Sequence, residues 1–182
     1  MKQMWKEIQI NGKNEQALII EKEDGDKEII RNLYLKWKDL NETIKTISTR
    51  GINLPEVISE NAFTLHFTEY VKVIKLKYKK CSFDCINTQT GLRTQLKATS
   101  TTSDLTSFGP RSEWDELYFL DFSSMDGKFK VYKIDSSWVY TLKTNKNQTF
   151  TNQQKQGKRP RLSIIKKIIE PRSLQPIRIC QL

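Results

Sequence analysis

Asp84, Gln95 and Lys97 are the residues of this 182-residue chain whose types and spacing could do chemistry together. They lie in a run, Lys80 to Ser100, patterned as a β-hairpin around Thr90-Gly91. With Thr90 and Gly91 as the two central turn residues, Gln89 faces Leu92, Asp84 lies across from Lys97, and Ile86 lies across from Gln95. One face then displays Asp84, Gln95 and Lys97. The other displays Phe83, Cys85, Leu96 and Ala98, apolar and small enough to pack on a helix. A slip of one residue would set Lys97 against Phe83 or Cys85 and mix the faces, so the pattern selects the register. On its own this is an ordinary cross-strand ion pair on a solvated face. Its weight comes from what surrounds it.

His66 is the only histidine, so serine, cysteine or histidine-cluster hydrolysis would all have to pass through one side chain set in an apolar helical pattern. Chemistry must come from carboxylates, lysine and metal. Cys81, Cys85 and Cys180 form no disulfide framework, and one histidine cannot complete a four-ligand zinc site with them. They read as reduced residues of a cytoplasmic protein. The N-terminal segment Met1-Lys2-Gln3-Met4-Trp5-Lys6-Glu7 lacks the apolar run of a secretory signal, and no window is long enough to span a bilayer. A net charge of +10 favours a polyanionic partner, nucleic acid ahead of membrane.

The chain length suits one domain over residues 1–182. Residues 1–26 are weakly patterned, with one possible strand at Gln16–Glu21. Apolar spacing predicts a helix from about Lys27 to Ile47 and a second from Pro55 to about Val71. On the second, Phe63, Phe67 and Tyr70 share one side, with Glu56 and Glu60 at its border. Glu56, in the first turn, suits the helix dipole; Glu60, a full turn in, needs another reason to be there. Strands are expected at Leu117–Phe122 and Phe129–Ile134 around a Met125-Asp126-Gly127 turn, and a short helix at Ser163–Glu170. Residues 151–182 carry eight Lys or Arg against one acid, Glu170.

The helix, the acid and the Gln-x-Lys strand together resemble the PD-(D/E)xK nuclease superfamily. Several runs are similar to a group of small type II restriction endonucleases: Thr49–Glu60, Phe83-Asp84-Cys85, Gln95-Leu96-Lys97-Ala98, Thr106–Leu117 and Gln153–Arg161. The likeness covers roughly residues 49 to 165. It departs from the usual pattern twice, with Phe83 in place of the proline before the first acid and Gln95 in place of the second acid. It implies an α/β (α+β) core with a mixed central sheet flanked by helices, and Mg²⁺-dependent cutting of double-stranded DNA at an interrupted site such as GCNGC. Asp84, with Glu60 or Glu56 and the Leu96 carbonyl, would hold Mg²⁺. Lys97 would orient the attacking water and offset charge on the phosphate, and Gln95 would bind a metal-held water or complete the metal shell.

Arg50, Asn53, Arg111, Lys158, Arg159 and Arg161 are the expected DNA contacts. The likeness also implies a homodimer on a two-fold target, and a DNA methyltransferase as functional partner. Two other readings stay open at this point: a non-catalytic sequence-specific DNA-binding protein, and a repair nuclease of the same superfamily that recognises structure. Trp114 and Trp138 read as core residues, and Ser107-Phe108-Gly109-Pro110 as a turn.

Overall fold

The computed structural model describes residues 1–182. The chain opens with two nine-residue strands, β1 (Lys2–Ile10) and β2 (Lys13–Glu21). Asn11 and Gly12 between them have φ of 47° and 76°, the left-handed pair that keeps two right-twisted strands in contact across a two-residue turn. Helices α1 (Asp26–Ile47) and α2 (Glu56–His66) follow. Then come β3 (Tyr70–Leu76), β4 (Cys85–Asn87), β5 (Arg93–Thr99), β6 (Thr106–Ser107), β7 (Glu116–Asp121) and β8 (Lys128–Ile134). The C-terminal part holds α3 (Ser136–Thr141), α4 (Phe150–Lys155), β9 (Arg161–Leu162), a π-helical segment Ile165–Ile169, and β10 (Arg178–Gln181).

Eight strands form one sheet in the order β1-β2-β3-β4-β5-β7-β8-β10, and only β5 and β7 run parallel. The architecture is mixed α+β with a large, mostly antiparallel sheet. Alternation along β7 shows why both faces are covered. Tyr118 and Leu120 pack with Ile30, Tyr34, Ile58 and Phe63 of α1 and α2. Leu117 and Phe119 pack with Phe108, Val139, Phe150 and Ile168 on the other side. A third cluster sits under the N-terminal hairpin and includes Ile8, Ala17, Val73, Phe83 and Ile86.

The structure corrects the sequence reading in several places. Residues 1–26 are not a loosely patterned segment, since they supply two full strands of the main sheet. Helix α2 ends at His66, and the apolar run beyond it is β3, where Tyr70, Val73 and Leu76 are buried. The expected two-residue turn at Thr90-Gly91 is a four-residue loop, Thr88 to Gly91. Asn87 Oδ1 accepts the amides of Gln89 and Thr90 at 3.0 and 3.1 Å, and the Asn87 amide reaches the Leu92 carbonyl at 3.1 Å. That side-chain cap widens the turn, so β4 and β5 pair as Cys85–Thr94 and Ile86–Arg93, not as Asp84–Lys97 and Ile86–Gln95. The short helix over Ser163–Glu170 is a π-helical segment, and β10 beyond it was not foreseen.

Asp104 pins the C-terminal layer to the loop after β5. Its buried carboxylate accepts the amides of Ile164 (2.7 Å) and Ile165 (3.2 Å) and the hydroxyls of Ser163 (2.5 Å) and Thr106 (2.9 Å). Removing it strands several donors away from water. Asp104→Ala is expected to lower stability by about 2–3 kcal/mol, the scale for buried donors left without an acceptor. Chemical denaturation checks this, and a loss below about 0.5 kcal/mol, as for a surface change, would show the carboxylate to be dispensable.

Candidate active site

Asp84 stands where the β4–β5 ladder breaks. Thr94 pairs with Cys85, yet its carbonyl also accepts the Asp84 amide at 3.0 Å, so two residues oppose one, as in a β-bulge. The bulge reverses the alternation. Phe83 therefore packs beside Ile86 in the cluster under the N-terminal hairpin, not beside Cys85 and Leu96 as the simple hairpin required. The Asp84 carboxylate takes over as a strand partner: Oδ2 accepts the Leu96 amide at 2.7 Å and a bond from the Gln95 side-chain amide. Gln95 itself is buried. So Asp84 meets Gln95 and the backbone of Leu96, where the sequence set it opposite Lys97.

Lys97 acts on Asp84 through its charge. The aspartate is mostly buried, and loss of water pushes its carboxyl above the ordinary range, with Lys97 the foremost charge opposing that rise. Glu60, one turn into α2, is pushed up to about 7, first by burial and next by the negative charge of Asp84. Lys72 opposes the shift through an ion pair of 2.6 Å, and burial outweighs it. Glu56 acts on both groups from the start of the helix. Two carboxylates and two lysines thus feel one another across the junction of α2, β3, β4 and β5.

A cleft of about 510 Å³ opens on this junction. Asn53, Glu56, Glu60, Lys97 and Arg159 line it, together with the Ser/Thr-rich stretch from Thr99 to Ser107. A second cavity of about 500 Å³ reaches Glu60 and Asp84 from the side of β3. Arg50, Arg111, Lys158 and Arg161 are exposed and do not line the cleft. Phe108 is fully buried, with the Lys97 ammonium 5.5 Å from its ring centre, so it packs under the site and is closed to any contact with DNA. Trp114 is buried, and Trp138 lies beneath Arg172 at 4.6 Å.

The sequence reading missed Lys72, because it took Tyr70 and Val71 as the end of the helix and gave Lys72 to Leu76 no element. The signal was there: Tyr70-Val71-Lys72-Val73-Ile74-Lys75-Leu76 is rich in β-branched residues, which favour strands. The Thr99–Ser107 wall was missed too, since short hydroxyl side chains carry no spacing that marks a site.

No three carboxylate, histidine or cysteine side chains converge closely enough to hold a metal unaided. The donors at hand are oxygens: the carboxylates of Asp84, Glu60 and Glu56, the Gln95 amide and the Leu96 carbonyl. That set fits a hard cation that keeps several of its waters and does not fit an ion seeking thiolate or imidazole. Two neighbouring carboxyls, both raised by burial despite Lys72 and Lys97, would ionise more readily beside a divalent cation.

The raised Glu60 carboxyl has a consequence for stability. The folded chain holds this proton more tightly than the unfolded chain, so stability falls as pH rises above about 4.5 and levels off beyond about 7. Glu60→Gln removes the titration, so in EDTA the wild type should lose up to about 3 kcal/mol relative to this variant between pH 4.5 and 8. Urea unfolding across that range measures it. Parallel pH profiles for the two proteins would contradict it.

Comparison with known proteins gives the chain a family. The family model described as Bsp6I restriction endonuclease matches residues 20–171. The Type II restriction enzyme Bsp6I of Bacillus sp. (strain RFL6) is 37% identical over 147 residues, covering 79% of this chain and 81% of that protein. No solved structure matches. The matched span contains α2, β4, β5 and the whole cleft wall, and on this agreement the chain belongs to the Bsp6I restriction endonuclease family.

Proposed function

We propose that the chain is a type II site-specific deoxyribonuclease, a single catalytic domain that uses Mg²⁺ to cut double-stranded DNA on a core of the PD-(D/E)xK kind. The observation that carries this reading is the meeting of Asp84, Gln95, Lys97 and the α2 glutamate Glu60 beside one polar cleft. The name of the 37% identical relative supports the same activity.

Asp84 and Glu60 are the groups that would hold the cation, with Glu56 at the cleft wall, the Leu96 carbonyl and the Gln95 amide oxygen beside them. The bound cation would polarise the scissile phosphate and make a water acidic. Gln95 and the Leu96 amide fix the Asp84 carboxylate by two hydrogen bonds, which limits its rotation. Lys72 holds Glu60 in the same way. Lys97 orients the attacking water and offsets the charge that grows on the phosphate as the water oxygen bonds to phosphorus and the ester oxygen leaves. The buried setting strengthens each of these interactions over its value in water.

Asn53 and Arg159 line the cleft and would contact DNA lying in it. Arg50, Arg111, Lys158 and Arg161 would meet the duplex farther out, where arginine suits guanine edges and lysine suits phosphates. An interrupted G·C-rich palindrome such as GCNGC is the target this reading favours. Such a target asks for a homodimer, and for a methyltransferase that protects the same sequence in the host.

Purified protein incubated with phage DNA should give discrete fragments with Mg²⁺ and none in EDTA, and sequencing the ends reads the site. Lys97→Ala should cut at least about 10²-fold more slowly, the scale of a lost electrostatic group at a reacting centre. Cutting that persists in EDTA, or that survives Lys97→Ala undiminished, would overturn the assignment.

A further inference from the structure

Helix α1 leaves part of its apolar surface uncovered. Ile30, Tyr34, Trp37 and Asn41 face the sheet and are buried. Beside them, Ile29, Leu33, Leu40, Ile44 and Ile47 fall within an arc of about 60° on a helical wheel. Ile29, Leu33, Leu40 and Ile47 are 52, 40, 51 and 86% exposed. This strip is about 27 Å long at the rise of an α-helix. Scattered surface leucines need no explanation, but a continuous apolar strip of this kind marks an interaction site.

The spacing along the strip says what covers it. From Ile29 to Leu33, Leu40 and Ile44 the gaps are four, seven and four residues, the same in either direction. About a two-fold axis residue i of one copy meets residue j of the other and j meets i, so this symmetric spacing lets these four apolar residues meet apolar residues when identical copies pack antiparallel. With the axis between Lys36 and Trp37, Leu33 meets the second copy's Leu40, and Ile29 meets its Ile44. The charges agree. On the wheel Lys36 lies about 20° and Asp39 about 80° beyond the same edge of the strip, and neither has an ion-pair partner within the chain, whereas the neighbouring Lys38 pairs with Glu42. In the antiparallel pair, Lys36 comes within two residues of level with the second copy's Asp39, and the reciprocal contact forms on the other side of the axis.

We infer that two copies of this chain associate through α1, antiparallel across a two-fold axis near Lys36, and that this is the surface of the homodimer. Its role as the dimer of a DNA-cutting enzyme rests on the function proposed above. Its existence rests on α1 only.

Sedimentation equilibrium without DNA or metal tests the contact apart from the cleavage chemistry. The wild type should be dimeric. The double variant Leu33→Glu/Leu40→Glu, which alters only exposed positions, should be monomeric with an unchanged circular dichroism spectrum. Lys36→Asp should weaken the dimer about five- to tenfold by setting acids against acids, and Lys36→Asp/Asp39→Lys should restore it. A wild type that stays monomeric at every attainable concentration overturns the inference, as does a dimer indifferent to the double glutamate variant. Failure of the charge exchange to rescue would remove the antiparallel register. Loss of DNA cutting by the Lys97 variant has no bearing on any of these results.

Discussion

The constraint on which the rest depends is the confinement of Asp84 and Glu60 near each other with little water around them. Carboxylates in such a setting resist ionisation, and here both are displaced upward even with Lys72 and Lys97 at hand. A fold tolerates this only if the surrounding elements leave the groups nowhere else to go. The bulge at Asp84 does so on the sheet side, because its carboxylate is already the acceptor for the Leu96 amide and cannot swing out without opening β5. On the helix side, Glu60 is held by its 2.6 Å pair with Lys72.

The rigidity behind those two anchors comes from the sheet. β7 lies beside β5 and is buried on both faces, so Leu117 and Phe119 secure one layer and Tyr118 and Leu120 the other. A polar network runs through the same strands. Glu116 accepts from Tyr70, Thr94 and Lys133, and Tyr70 also bonds Tyr118. Satisfied buried polar groups fix strand register more sharply than apolar contacts do, since any slip leaves several of them unpaired. The register of β5, which carries Gln95 and Lys97, is therefore held at Thr94, from the start of the same strand.

Much of this was legible in the sequence, and the failures have identifiable causes. The acid, the amide and the lysine were picked out because strand alternation is a strong signal, and a register error of two residues preserves the faces of Gln95, Leu96 and Lys97, though not those before the bulge, where Phe83 changes side. The bulge was invisible, since nothing in Ser82-Phe83-Asp84-Cys85 announces an extra residue in a ladder. Asn87 misled the turn: its side chain capped two amides, which a reading based on Thr-Gly ignored. Of the N-terminal hairpin only the strand at Gln16–Glu21 was read, although Asn11-Gly12 is a strong two-residue turn signal, because the charged residues of β1 hide its alternation. Helix α2 was overextended because Phe63, Phe67 and Tyr70 do fall on one side of a helix; in the folded chain they still meet as neighbouring rings, with Tyr70 contributing from a strand.

The connection between α1 and the cleft links the two surfaces of the molecule. The Trp37 indole donates to the Asn53 carbonyl at 3.1 Å, and Asn41 Oδ1 accepts the Ile52 amide at 2.8 Å. Both donors and acceptors on α1 are buried, so the segment ahead of α2 is bonded directly to the helix that carries the apolar strip. Asn53 and Glu56 line the cleft only a few residues further on. An enzyme that cuts two strands of one duplex needs its two centres at a fixed separation, and a flexible tether between the dimer axis and each centre would blur it. With the axis inferred above, the path to the Glu56 carboxylate would run through α1, these two buried hydrogen bonds and the first turn of α2. In a dimer formed through α1 as inferred above, the same residues that bury one side of that helix would limit how far each proposed centre could move relative to the axis.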